Sequence, residues 1–439
     1  MTGTLFLLGL MTGGLAPTTQ TIEVPLTYVR YPDVEDSESP YSSRGELEME
    51  ILLELPDGKW KLPKLLSEQP LYALTPMGDT DHLFVLDRVK AGDPFFSRIY
   101  FDANGNGDLT DDAPIPLSDE LVITGFIQSL PLDITLTVDG EEVPYGLKVA
   151  AFSEEMMEGE EELDTDELVF RLTGNCAYST RFELGKHTYS VLLSDDDVNG
   201  KFGDQLAYDA AGPIADDRAF VTSGDLIFLT SGDRIAEFDQ SPLGSKISLG
   251  GQIYSLEVDT KKSQLRLRPI VTDLGTVDLP IAPERLFLAT ADGGEYLIFH
   301  QPGKKVQVPP GEYRVAGYQL YRKDPQGDLW FLSAAATPES PFITVGKGAS
   351  TKALFGEPFM PRATVPEATE AFARGKPERL EVEFAIAGSG HEIVTDLRHV
   401  SGNKTAMTLD RTGEFPTEPV FRIASTKGKV VAQGAFEYG

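Results

Sequence analysis

The sequence is poor in cysteine, histidine and positive charge, and each shortage closes off a class of function. Cys176 is the single cysteine among 439 residues, so an intramolecular disulfide cannot form and a cysteine-based metal site lacks ligands. Its surroundings, Gly174-Asn175-Cys176-Ala177-Tyr178, supply no neighbouring base, and it reads as a small buried apolar residue. Five histidines, His82, His187, His300, His391 and His399, are scattered along the chain. Asp81-His82 and His391-Glu392 are adjacent pairs, but neighbours on a strand face opposite ways, so adjacency makes no catalytic dyad. There is no Gly-x-Ser-x-Gly elbow, no His-Glu-x-x-His pair, no phosphate-cradling Gly-x-x-x-x-Gly-Lys and no dinucleotide Gly-x-Gly-x-x-Gly. Lysine and arginine number 38 against 69 acids, a net charge of −31. Nucleic acid and anionic membrane surfaces would be repelled, whereas divalent cations would be drawn in.

Long hydrophobic runs are also missing. The apolar stretch Leu5-Phe6-Leu7-Leu8-Gly9-Leu10-Met11 falls short of the roughly 20 residues a membrane span needs. Followed by small residues and Pro17-Thr18-Thr19-Gln20, it reads as a secretory leader over residues 1–19, although a charged leading region is absent. The expected location is extracytoplasmic (secreted, periplasmic or cell surface), with no membrane span in the mature chain.

What is present is period-two alternation. Ile22 to Val29, Glu46 to Leu53, Asp133 to Val138 and Leu168 to Leu172 alternate apolar and polar residues, the mark of half-buried strands. Convincing long amphipathic helices are lacking; Pro366 to Arg374 and Glu154 to Leu163 are the short candidates. The latter opens an acidic run through Glu167 without a basic residue, read as a solvated insertion. The expected fold is all-β, several β-sandwich modules in tandem with little helix, and the length accommodates about three domains. The divisions expected are 20–230, 231–365 and 366–439, with Gly356 to Pro366 as a proline-rich linker. Leu184-Gly185-Lys186-His187-Thr188-Tyr189-Ser190 echoes Leu249-Gly250-Gly251-Gln252-Ile253-Tyr254-Ser255, which predicts two similar hairpins.

The most informative stretch is Asp102-Ala103-Asn104-Gly105-Asn106-Gly107-Asp108-Leu109-Thr110-Asp111-Asp112, leaving the apolar run Ile99-Tyr100-Phe101. Oxygen-bearing side chains stand at positions one, three and five, a glycine at six permits the reversal, and position seven offers its backbone carbonyl, the EF-hand ligand schedule. The pattern returns as Asp195-Asp196-Asp197-Val198-Asn199-Gly200-Lys201-Phe202-Gly203-Asp204. Both copies lack the bidentate Glu of position twelve, where Ala113 and Leu206 stand, and both carry an Asp at position ten. The expected ligands are therefore Asp102, Asn104, Asn106, Asp108 and Asp111 in the first loop. In the second they are Asp195, Asp197, Asn199, Lys201 and Asp204, with Asp108 and Lys201 acting through their carbonyls. The expected ion is calcium. The competing reading is a pair of plain hairpin turns, since Asn-Gly is a strong turn signal.

These loops resemble the EF-hand-like loops of dockerins and other bacterial extracellular proteins, though dockerins keep an acid at position twelve. The ending Gly428-Lys429-Val430-Val431-Ala432-Gln433-Gly434-Ala435-Phe436-Glu437-Tyr438-Gly439 is similar to the closing hairpin of C-terminal immunoglobulin-like domains in secreted proteins of planctomycete type. The resemblance covers the loops and the last strands, and it implies location better than activity. Two functions are compatible with the residues. One is a non-catalytic, calcium-stabilised protein engaging an extracellular protein partner, envelope component or polysaccharide. The other is a secreted hydrolase using paired carboxylates, which so acidic a chain would hide among its many acids.

Overall fold

The computed structural model describes residues 20–31, 45–91, 96–117, 127–153, 168–205, 224–231, 240–325, 327–364, 383–401 and 418–436. The expected leader, the acidic run 154–167 and the short helix at 366–374 lie outside these residues. The fold is all-β: strands dominate, and among the described residues the one helical element is a 3-10 turn at Thr260–Lys262.

A twelve-stranded sheet forms the backbone of the molecule. It begins at Ile22–Pro25, which pairs antiparallel with Gln264–Pro269, and passes through Gln252–Asp259 to Lys246–Leu249. A parallel step to Tyr296–His300 follows, and the ladder continues antiparallel through Arg285–Thr290, Gly311–Lys323, Leu329–Ala335 and Ile393–Ser401. Its far edge is Met360–Thr364 against Glu383–Ala387. That pairing corrects the linker reading of Gly356 to Pro366. Prolines broke the local pattern, yet an edge strand tolerates Pro361 because its missing N–H would face away from the ladder.

Three smaller sheets carry the motif loops and their surroundings. One joins Leu71–Met77, Thr80–Asp87 and Arg98–Phe101. A second has Glu141–Ser153 at its middle, flanked by Leu168–Gly174 and Leu132–Val138. The third runs Gln240–Pro242, Leu226–Ser231, His187–Ser194, Cys176–Leu184 and Thr27–Arg30. One continuous apolar core, from Val24 to Ala316, receives side chains from all three and from the large sheet. Both echoed segments are two-residue hairpins, Leu184 facing His187 and Leu249 facing Gln252. The second hairpin's outgoing strand ends in the 3-10 turn rather than an acidic loop. Near the C-terminus, Val420–Ala424 pairs with Val430–Ala435.

Candidate metal centre

The two motif loops leave their sheets at Phe101 and Ser194 and fold alike. In the first, Asp102 accepts the backbone N–H of Asn106 at 3.1 Å and of Gly107 at 2.8 Å. Asn104 Oδ1 accepts the Asn106 N–H, Asn106 Oδ1 accepts the Asp108 N–H, and Asn106 Nδ2 donates to Asp111. In the second, Asp195 accepts Asn199 N–H at 3.2 Å and Gly200 N–H at 2.7 Å. Asp197 accepts Asn199 N–H, Asn199 accepts Lys201 N–H, and Asn199 Nδ2 donates to Asp204. Each of these five bonds has its counterpart in the other loop, ninety-three positions along. The backbone agrees: Gly105 and Val198 share a left-handed conformation at φ 64° and 55°, as do Gly107 and Gly200 at 79° and 82°. Such φ values suit glycine and strain a β-branched residue, so Val198 is held there by the fully buried packing of its side chain. Leu109 and Phe202 occupy equivalent places, and both are buried in apolar clusters. A plain two-residue hairpin turn needs none of this inward network of side-chain oxygens.

The loops sit on opposite ends of one short stretch. The Asn199 carbonyl accepts the N–H of Gly78, in the turn between Leu71–Met77 and Thr80–Asp87. The Asp102 carbonyl lies 2.7 Å from Nδ1 of buried His82, whose Nε2 lies 3.1 Å from the Thr80 hydroxyl. A carbonyl only accepts, so Nδ1 carries the proton. His82 is thus committed to anchoring the first loop.

The surroundings of the two loops differ. Asp108 turns outward, where its Oδ2 meets Lys61 Nζ at 2.6 Å, and that contact together with the Thr110 hydroxyl pulls its carboxyl down to about 2. Its backbone carbonyl accepts the Asp111 N–H. Asp112, at position eleven, accepts the Ala103 N–H; burial pushes its carboxyl up, and the charges of Asp111, Asp102 and Asp108 add to this.

Asp102 is as buried as Asp195, but the rest of the second loop is deeper, with Asn104 and Asn106 exposed where Asp197 and Asn199 are half-buried. Asp195 and Asp225 are 2% and 1% exposed, and Asp195 also accepts the buried Tyr145 hydroxyl at 2.8 Å. Asp195, Asp197 and Asp225 each bring a carboxylate oxygen within 4.8 Å of the others', the one such group of three among the described residues, and together they could hold a metal ion. Burial, and then the charge of Asp197, push the Asp195 carboxyl well above its usual range; burial and the charge of Asp195 do the same to Asp225. A cation between them relieves both causes at once. The position-ten acids Asp111 and Asp204 instead spend an oxygen on the position-five amides.

Asp225 was invisible to the motif because it lies outside the loop. Only strand register brings it near: Tyr189 faces Ser231 and Ser194 faces Leu226, so the next rung sets Asp195 opposite Asp225. The class these features define is an all-β, multi-sheet protein with a buried acidic centre that could hold a metal ion. No protein-family model matches the chain, and no characterised protein or solved structure is significantly similar to it.

Proposed function

We propose that this is an extracytoplasmic, calcium-stabilised binding or structural protein, non-catalytic, that engages a protein partner, envelope component or polysaccharide. The observation that carries the reading is the repetition of one inward-facing hydrogen-bond network in two loops, one of them closing on three carboxylates. Donors that are all oxygen favour a hard cation. Calcium fits a loop of carboxylates, amide oxygens and carbonyls better than magnesium, which demands strict octahedral geometry and sheds water reluctantly. The acids at the centre are accounted for as ligands, since a bound ion holds them ionised and leaves none free to shuttle a proton. An ion that binds the folded chain alone stabilises it by mass action, and extracellular calcium concentrations saturate even weak sites. Calorimetric titration of the purified chain tests this: binding with Kd on the order of 10⁻³ M or tighter is expected. Absence of heat and of binding up to saturating millimolar calcium would remove the proposal.

A further inference from the structure

The second loop lacks an acid at position twelve, yet a carboxylate stands ready in space. We infer that Asp225 is the closing ligand of a divalent-cation site in this loop, donated across the sheet from the start of Leu226–Ser231; the inference rests on the calcium reading above.

The carboxylate of Asp225 is held in one orientation. Its Oδ2 accepts the N–H groups of Gly203 and Asp204, the latter at 2.9 Å, while the backbone N–H of Asp225 donates to the Asp204 carbonyl at 2.8 Å. These bonds join the end of the loop to the foot of the neighbouring strand. The other oxygen, Oδ1, is buried and has no hydrogen-bond partner among the described residues. A buried carboxylate oxygen without a partner costs free energy, and the same side chain brings an oxygen within 4.8 Å of those of Asp195 and Asp197. With Oδ2 occupied by two amides, Oδ1 is the atom available to an ion.

The resulting donor set has three carboxylates, to which the loop schedule would add Asn199 and the Lys201 carbonyl. That set carries enough negative charge to bind a divalent ion or a lanthanide. The site would therefore join three pieces of chain: the end of His187–Ser194, the loop and the start of Leu226–Ser231. In an EF-hand the closing acid follows in sequence. Here the sheet ladder delivers it.

The test is terbium titration of the full chain, with calcium competition, comparing wild type with Asp225→Asn and Asp102→Asn. Tyr145, whose hydroxyl is bonded to Asp195, sensitises terbium in the second loop. Trp60, whose ring lies 3.9 Å from where a Cβ on Gly107 would stand, sensitises it in the first. Excitation at the red edge of the aromatic band, where tryptophan alone absorbs, therefore reports the first loop separately. The expected result is that Asp225→Asn weakens the tyrosine-sensitised site by at least roughly tenfold, a loss that even outer-shell changes reach, and leaves the tryptophan-sensitised site unchanged. Asp102→Asn should do the reverse. Unchanged tyrosine-sensitised binding in Asp225→Asn would overturn the inference while leaving calcium binding intact. No terbium or calcium binding by wild type would overturn the calcium reading itself. Should Asp225→Asn fail to fold, a crystal structure of the calcium-loaded wild type decides: an Asp225 oxygen about 2.3–2.6 Å from the ion upholds the inference, and an ion held without Asp225 overturns it.

Discussion

The two motif loops share a sequence pattern, a hydrogen-bond network and a set of backbone angles, yet they stand in different places in their sheets. The first leaves Arg98–Phe101, at the end of a three-stranded sheet, and the rung opposite Asp102 is the buried apolar Leu83, whose carbonyl accepts the Asp102 N–H. The second leaves His187–Ser194, the middle strand of five, so strands flank it on both sides and one of them contributes Asp225. On the inference above, a loop motif specifies half of the proposed metal centre. The other half is decided by what the neighbouring strand carries at one rung of the ladder, and by how deeply that rung is buried.

The largest effect that would sharpen this comparison is expected from Asp195→Ala. The substitution removes a ligand, takes the acceptor from the Tyr145 hydroxyl and the Gly200 amide, and leaves the Asn199 amide with Asp197 alone. In saturating calcium it should cost about 3–5 kcal/mol, from the orphaned donors and from the lost ion linkage together, read by chemical denaturation. Asp102→Ala should cost about 1–3 kcal/mol, because it strands the Gly107 amide and leaves the Asn106 amide with Asn104 alone, in a loop more open to water. If the two costs were equal, and equally dependent on calcium, the depth of the second loop would have no energetic meaning.

A backbone substitution should come next. Gly200→Ala places a methyl group at φ +82°, against fully buried Leu136 and close to the Gly78 backbone nitrogen, so conformational strain of about 1–3 kcal/mol is joined by overpacking of the core. Since Val198 already occupies a left-handed position in the same loop, a second strained residue should also loosen the ion, seen as a faster off-rate.

Cys176 reports on the second loop without a substitution. It is buried beside Gly146, and burial pushes its thiol up to about 12. The folded chain should therefore resist thiol reagents at mildly alkaline pH, and calcium should slow labelling further by suppressing local opening. The sign for stability follows. The raised thiol favours the folded state below its ordinary value of about 8.5, and this contribution is lost as pH rises from there toward the folded value. Labelling of folded protein as fast as of a free thiol would contradict the burial. The smallest effect is expected from Lys61→Met: the exposed pair with Asp108 should add almost nothing to the melting temperature. The Asp108 carboxyl should nevertheless rise toward its ordinary value, as followed by NMR titration.

Much of the fold was legible in the sequence because its signals are local. Alternation marked Asp133 to Val138 and Leu168 to Leu172, and the structure has strands there at Leu132–Val138 and Leu168–Gly174. The Leu-Gly echoes marked both hairpins, since a two-residue turn fixes its own register. The repeat of one loop from Asp102 and from Asp195 could be read for the same reason, each hydrogen-bond network being closed within about ten residues. Asp225 could not, because its approach depends on the pairing of Leu226–Ser231 with His187–Ser194 rather than on spacing along the chain. Lys61 was missed likewise, reaching the first loop through an isolated parallel bridge to Asp108. The misread linker shows the converse: Pro361 obscured a strand whose partner, Glu383–Ala387, lies beyond any local window.

The measurement that bears most directly on the calcium account is a thermal melt of the full chain in excess EDTA and in millimolar calcium, with Asp102→Ala and Asp195→Ala alongside. The account predicts a calcium-dependent rise in melting temperature, reduced in each variant and more so in Asp195→Ala. Superimposable melts of the wild-type chain in EDTA and in calcium would contradict it, and would leave the two loops as hydrogen-bonded turns with no ion to hold.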